Sequence, residues 1–291
     1  MNRPATSAEA WGLCLRGFSV SNPELISARP VSPVAPYLGG KRRLAARIIE
    51  RLGAIPHTTY AEPFIGLGGV FLRRPWRSKA EVINDINRDV TTLFRVLQRH
   101  YVPLMDMLRW QLTSRTEFER LVATDPETLT DLEVAARFLY LQRTTFGGKV
   151  AGRSFGVSVS GPARFDITKL AAMLEDVHER LAGVVIERLP YADLIARYDR
   201  PGTLFYLDPP YAGGEADYGK GVFAPEDFDR LAELLGGIAG RFILSINDTP
   251  EIRQVFRGFA LEEVQTTYSI AGPAGKGRGK VGELLISGRR R

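Results

Sequence analysis

The sequence predicts an α/β fold: a doubly wound, mostly parallel sheet with an inserted, mainly helical domain. Three observations carry that prediction. Apolar runs of strand length alternate with stretches of helical periodicity through most of the chain, the pattern of a sheet covered on both faces. The first run leads into the glycine-rich Phe64-Ile-Gly-Leu-Gly-Gly69 and the second ends in Asn84-Asp85, positions at which doubly wound sheets hold ligands. Between residues 91 and 165 the alternation gives way to helices and a glycine-rich loop.

The elements follow in order. Residues 1–35 are interrupted by Pro23, Pro30 and Pro33 and show no sustained period, so an irregular extension is expected. Over 41–52, Leu44, Ala45, Ile48, Ile49 and Leu52 recur at helical spacing with arginines between them. A strand over 59–64 runs through the glycine turn into an apolar segment at Val70, Phe71 and Leu72, read as the start of a helix. Strand 80–85 lies in the first segment, 36–90, of the sheet domain and is followed by a helical pattern through Val90, Leu93, Phe94 and Leu97. The insertion, 91–165, carries a helix near 132–141 and the glycine-rich 146–156. The sheet domain resumes over 166–291: helix 168–182, strand 184–189, helix 191–198, strand 203–208, helix 225–236, strand 242–246, short helix 250–256, and paired strands near 261–270 and 281–287.

Composition narrows the class. Formal charge is +6 with 39 Lys and Arg against 33 Asp and Glu, which suits a polyanionic partner. The lone Cys14 can form neither an internal disulfide nor a thiolate metal site, and His57, His100 and His178 lie at no metal-ligand spacing, so no metal is expected. No apolar run approaches the roughly 18 residues needed to cross a bilayer. A cytoplasmic protein is expected, acting as a monomer.

Chemistry concentrates at three strand ends. Gly66, Gly68 and Gly69 permit close backbone approach, and Asp85, roughly 20 residues on, stands where an acid accepts hydrogen bonds from ribose hydroxyls. Together they suggest an adenosyl or dinucleotide cofactor. The third end, Asp208-Pro-Pro-Tyr211, is more specific. Each proline fixes its own backbone, restricts its predecessor and withholds an amide hydrogen, so the local carbonyls become acceptors. An exocyclic amine has two hydrogens to donate; the Asp208 carboxylate and the Pro209 carbonyl can accept both, while Tyr211 offers a ring to stack on a heterocycle.

These motifs, in this order and spacing, resemble the Dam-type N6-adenine DNA methyltransferases, the D12 class in its alpha arrangement. Tyr37-Leu-Gly-Gly-Lys41 is similar to the family's opening motif, 61–72 to its cofactor motif, Asn84-Asp-Ile-Asn87 to its ribose motif and Asp208-Pro-Pro-Tyr211 to its catalytic motif. Leu244-Ser-Ile-Asn-Asp-Thr249 and Lys280-Val-Gly-Glu-Leu-Leu-Ile286 are similar to later family segments. The resemblance implies a Rossmann-like methyltransferase sheet that binds S-adenosylmethionine through Tyr37, Lys41, Glu62, Phe64, Gly66, Gly68, Asp85, Ile86, Asp193 and Asp208. It implies catalysis by Asp208, Pro209, Pro210 and Tyr211. In the insertion, 141–149 resembles the family's DNA-contacting hairpin, and Arg143, Phe146, Lys149 and Arg153 are the implied contacts with double-stranded DNA. Gly147 replaces the family's usual asparagine.

The expected reaction is methyl transfer to adenine N6 in duplex DNA, with the target base flipped out of the stack, as in restriction-modification enzymes. Basic residues of the insertion and of the glycine-rich loop 271–280 are expected to grip the backbone. A cytosine-C5 mechanism is set aside because Cys14 lies in the irregular extension rather than beside a proline. Aspartate, rather than serine, at position 208 favours adenine over cytosine N4. The remaining alternative is a non-catalytic DNA-binding or cofactor-binding module on a methyltransferase fold.

Overall fold

A computed structural model of the chain describes residues 22–37, 39–41, 43–150, 152–156, 161–215, 223–267 and 280–289. Residues 1–21 of the expected extension and 271–279 of the glycine-rich loop lie outside the described residues. In chain order the elements are β1 (Ile26–Ser27), α1 (Ala45–Gly53), β2 (Thr59–Glu62), β3 (Trp76–Arg77), β4 (Ala80–Asn84), α2 (Arg88–Arg99), α3 (Tyr101–Leu108), α4 (Arg115–Ala123), α5 (Asp131–Thr144), α6 (Ile167–Arg180), β5 (Val185–Glu187), α7 (Tyr191–Tyr198), β6 (Thr203–Leu207), α8 (Glu226–Gly237), β7 (Arg241–Asn247), α9 (Pro250–Val255), β8 (Phe259–Thr267) and β9 (Lys280–Arg289).

The main sheet has the order β5-β4-β2-β6-β7-β9-β8. The first five strands are parallel, and β9 runs antiparallel to both β7 and β8. Its period-two pattern is doubly buried. Tyr60, Ile83, Leu204 and Tyr206 join the core that includes α1, α2, α5 and α6, while Ala61, Val82, Phe205 and Leu207 join the core with α7, α8 and α9. Apolar side chains therefore leave both faces of each central strand, which is the physical content of a doubly wound sheet. Helices α2 to α6 lie between β4 and β5 in the chain, and their buried residues Leu104, Phe118 and Phe138 are continuous with the core under the sheet.

One expected element is replaced. The segment after the glycine turn forms only the short 3-10 turn Phe71–Arg73, not a helix. Pro75 drives its predecessor Arg74 extended, at φ −65° and ψ 130°, and the chain turns into β3, which pairs with β1. That ribbon lies partly in the stretch read as irregular. The base of the glycine-rich hairpin pairs 144–146 with 154–156: Phe146 N–H donates to Ser154 O at 2.9 Å and Gly156 N–H to Thr144 O at 2.7 Å. Helix α5, which leads into the hairpin, is capped at its start by a capping box of Thr130 and Glu133.

Candidate active site

The chain leaves β2 for β4 and β5 on one side and returns to β6 on the other, so the strand order reverses between β2 and β6. At such a switch point neighbouring connections diverge and a crevice opens beyond the carboxyl ends of the strands. A cavity of about 920 Å³ lies there. Glu62 from the end of β2, Asp85 after β4 and Asp208 after β6 all line it.

Its walls are set by local backbone geometry. Gly66 adopts φ +49°, and a Cβ there would lie 2.9 Å from the Tyr37 ring, so the aromatic can close over the turn only because residue 66 has no side chain. Asp85 accepts the Gly66 N–H at 3.0 Å and the Asn87 N–H at 2.9 Å, tying the end of β4 to the glycine turn. Burial pushes its carboxyl up to about 6 despite those donors. Asn84 bridges further: its side-chain amide donates to Pro63 O and Leu189 O and accepts from Leu189 N–H, joining three strand ends. Phe64, Tyr191 and Phe223 form an aromatic wall, with the Phe64 ring centroid 5.5 Å from that of Tyr191 and 6.1 Å from that of Phe223. Glu62 accepts a hydrogen bond from the Tyr60 hydroxyl at 2.6 Å, and burial pushes its carboxyl up to about 8.

At the mouth of β6 stands a compact charged cluster. Lys41 Nζ lies 2.7 Å from Asp208 Oδ1 and 2.7 Å from Glu283 Oε1, with its side chain only 2% exposed. It also donates to Tyr211 Oη at 2.5 Å and sits 4.3 Å from the Tyr211 ring centroid. Tyr211 in turn donates to Glu283 Oε1 at 2.5 Å. Ser245 Oγ donates to Asp208 Oδ1 at 3.2 Å and is itself paired with the Tyr206 hydroxyl at 2.8 Å. Burial pushes the Asp208 carboxyl up to about 6 against the pull of Lys41. An ion pair this buried is costly to break from one side, about 3–5 kcal/mol, because the remaining charge is stranded. The proline turn is pinned from β7: Asn247 accepts the Ala212 N–H and donates to Ala212 O, each at 3.0 Å.

Of the residues expected at a cofactor site, Tyr37, Lys41, Glu62, Phe64, Gly66, Asp85, Ile86 and Asp208 line the one cavity. Two do not. Asp193 is exposed on α7 and away from the cavity lining, whereas Asp227, held by the Tyr191 hydroxyl at 3.1 Å and the Ala224 N–H at 2.8 Å, lines it. Gly68, at φ +74°, faces Leu72, where a Cβ would come within 2.9 Å, so its part is to let the turn pack. In the catalytic turn Pro210 faces the cavity with Asp208, Pro209 is buried and Tyr211 is half-buried against Lys41.

The expected DNA contacts divide likewise. Phe146, 57% exposed, and Lys149 project from the hairpin. Arg143 instead turns inward, donating to Arg164 O at 3.1 and 2.9 Å and to Val34 O at 3.1 Å, and Arg153 donates to Gln142 Oε1 at 3.1 Å. Both guanidiniums are engaged with the hairpin base and its neighbours. Sequence reasoning missed Ser245, Asn247 and Glu283, although they lie in the two segments noted as similar to later family motifs. Among the described residues no cluster of three or more His, Cys, Asp or Glu is placed to hold a metal ion, and no helix is long and apolar enough to cross a membrane.

A Rossmann-like sheet with an acidic, proline-stiffened turn at its switch point, beside a nucleoside-sized cavity, is the class that fold and site define. Residues 37–270 match the D12 class N6 adenine-specific DNA methyltransferases, and the chain belongs to that family. It is similar to the Type II methyltransferase M.CviBI of Paramecium bursaria Chlorella virus NC1A, at 22% identity over 240 residues, covering 82% of this chain and 91% of the relative. Similarity to the Type II methyltransferase M1.LlaDCHI of Lactococcus lactis subsp. cremoris is 24% over 272 residues, covering 88% of this chain and 94% of the relative. A DNA adenine methylase of Haemophilus influenzae is 25% identical, covering 90% of this chain and 96% of the relative. The chain is thus an adenine-specific DNA methyltransferase, which implies a methyl donor and a DNA substrate.

Proposed function

We propose that the cavity binds S-adenosylmethionine and that Asp208-Pro-Pro-Tyr211 receives an adenine flipped out of duplex DNA. The observation that carries this reading is the position of the Asp208 carboxylate, at the switch point and on the lining of the same cavity as Asp85 and Glu62. The residues fit the cofactor. The cavity has the volume of a small-molecule site, an aromatic wall for a purine, an acid for ribose hydroxyls and a glycine turn for close approach. Tyr37 closes one side over Gly66, and Asp227, held by the hydroxyl of the wall residue Tyr191, offers the cavity an acid in place of Asp193.

When bound, S-adenosylmethionine supplies an electrophilic methyl group on a sulfonium centre and departs as a neutral thioether. The protein's task is to make a poor nucleophile react. The lone pair of adenine N6 is delocalised into the ring, and accepting the amino hydrogens at the Asp208 carboxylate and the Pro209 carbonyl localises it on nitrogen. As the N–CH₃ bond forms, positive charge develops on N6; Asp208 stabilises it and takes the departing proton. Lys41 and Ser245 hold Oδ1 of that carboxylate and fix its direction. Flipping the base costs a few kcal/mol, offset by stacking on Tyr211 and by contacts to the DNA backbone. The exposure of Phe146 and Lys149 on the hairpin supports contact with DNA there.

All of these groups come from one chain, which supports action as a monomer, and a DNA substrate supports a cytoplasmic site of action. The Type II names of two relatives support a role as the modification partner of a restriction system. The test is to incubate the protein with S-adenosylmethionine and duplex DNA, digest to nucleosides and weigh the products. N6-methyldeoxyadenosine is expected; N4-methyldeoxycytidine, or no methylated nucleoside, would overturn the proposal.

A further inference from the structure

We propose that Glu283 is a positioning residue for methyl transfer, dividing the charge of Lys41 so that the Asp208 carboxylate stays an electron-rich acceptor for the substrate amine. The inference rests on the role given to Asp208 above. Glu283 comes from β9, directly opposite Asn247 of β7 in the antiparallel ladder. Its side chain is 0% exposed, and the residues that follow it, Leu284, Leu285 and Ile286, are buried and apolar. A carboxylate at such a position has to be compensated, and Oε1 takes part in two of the contacts that do so. Oε1 pairs with Lys41 Nζ at 2.7 Å and accepts from Tyr211 at 2.5 Å, joining β9 to the segment before α1 and to the catalytic turn.

Charge arithmetic gives the consequence. One ammonium lies between two carboxylates, each 2.7 Å away. Were Asp208 its sole anionic partner, Lys41 would draw the Asp208 oxygens toward itself and weaken them as acceptors for N6. With Glu283 present the cation is shared, and the negative potential at Asp208 rises. The charged and titratable groups that influence Asp208 are Lys41 from the segment before α1, Glu62 from β2, Tyr206 from β6, Tyr211 from its own turn and Glu283 from β9. Of the acids, Glu62 is held toward its neutral form by burial, which leaves Glu283 as the main source of negative potential beside Asp208.

Glu283→Gln keeps the shape and an oxygen to accept from Tyr211 but removes the charge. The experiment measures kcat and KM for tritiated methyl transfer into DNA from about pH 5 to about pH 9, with melting temperature as the check on folding. Expected are a roughly tenfold or greater fall in kcat, cofactor and DNA affinities within about twofold of wild type, and an acid limb displaced downward by about 0.5–1 pH unit. Glu283→Asp retains the charge and shortens the reach, so its kcat falls while its acid limb stays in place; it carries the test if the Gln variant does not fold. An unmoved limb in a folded Gln variant, wild-type kcat in either variant, or an equally displaced limb in the Asp variant would overturn the proposal. A wild-type protein that makes no N6-methyldeoxyadenosine tells instead against the role of Asp208.

Discussion

Gly148 in the hairpin lies against the backbone of Pro36: at φ +69° it has no side chain, and a Cβ there would approach the Pro36 carbonyl carbon and oxygen to 3.0 Å. Gln142 reinforces the contact by donating to both Pro36 O and Gly148 O at 3.1 Å. The hairpin is thereby locked to the segment carrying Tyr37, which closes over Gly66 at the cavity. Gly148→Ala is expected to destabilise the fold by about 1–2 kcal/mol, the cost of a left-handed residue with a side chain, and to weaken cofactor binding by roughly tenfold. Calorimetric titration with S-adenosylmethionine, alongside a thermal melt, checks this. Unchanged affinity in a destabilised protein would break the link between hairpin and cavity.

Asp85 is expected to act through binding alone. Hydrogen bonds to a charged group are worth about 1.5–3 kcal/mol, so Asp85→Ala should raise KM for S-adenosylmethionine by roughly tenfold to a hundredfold while leaving kcat at saturation within a few-fold. Steady-state kinetics at saturating DNA separates the two constants. A loss confined to kcat would place Asp85 in the chemical step instead.

Burial raises the Glu62 carboxyl from 4.5 to about 8, and this sets a stability slope. The folded state binds this proton more tightly than the unfolded chain does. Its contribution is therefore fully present below about pH 4.5 and is lost as pH rises through about 8. Glu62→Gln cannot ionise, so urea unfolding of the cofactor-free protein should show wild type losing stability relative to the variant between those limits, by at most about 5 kcal/mol at about 1.36 kcal/mol per pH unit. Parallel curves for the two proteins would contradict the assignment.

The hairpin should separate DNA contacts from scaffold. Lys149 is exposed, so Lys149→Ala is expected to weaken binding to all duplexes alike and to reduce the salt slope of log K by about 0.9, one phosphate's share. Arg143 is tied to three carbonyl contacts, and Arg143→Ala is expected to lower the melting temperature instead. Fluorescence anisotropy at several salt concentrations, with melts, decides between these roles.

Much of this was legible in the chain because strand ends carry their own signals. The apolar run through 203–207, the glycines at 66–69 and the acid at 85 reflect local rules, and each lies where those rules put it. Asp208-Pro-Pro-Tyr211 is similarly local, since proline dictates its own backbone. What escaped depends on tertiary approach. Glu283 is one polar residue in an apolar strand, and only the antiparallel pairing of β9 with β7 brings it to Lys41. Arg143 has the residue type and hairpin position of a DNA contact, yet the nearby carbonyls of Val34 and Arg164 claim its guanidinium. Asp193 and Asp227 both lie in the first turn of their helices, but Tyr191 rather than Asp193 lines the cavity from α7 while Asp227 lines it from α8, a choice that spacing along the chain does not encode. The absence of a helix after Gly69 has its signal in Pro75, which the apolar run Val70, Phe71 and Leu72 masks.

The most direct measurement is single-turnover transfer of tritiated methyl to duplex DNA by Asp208→Ala, with cofactor binding followed in the same preparation. The account predicts a folded protein that still binds S-adenosylmethionine, within about tenfold of wild type, while transfer falls by at least a thousandfold, or about 4 kcal/mol. Transfer at a rate near that of wild type would show that the amine is held and deprotonated elsewhere.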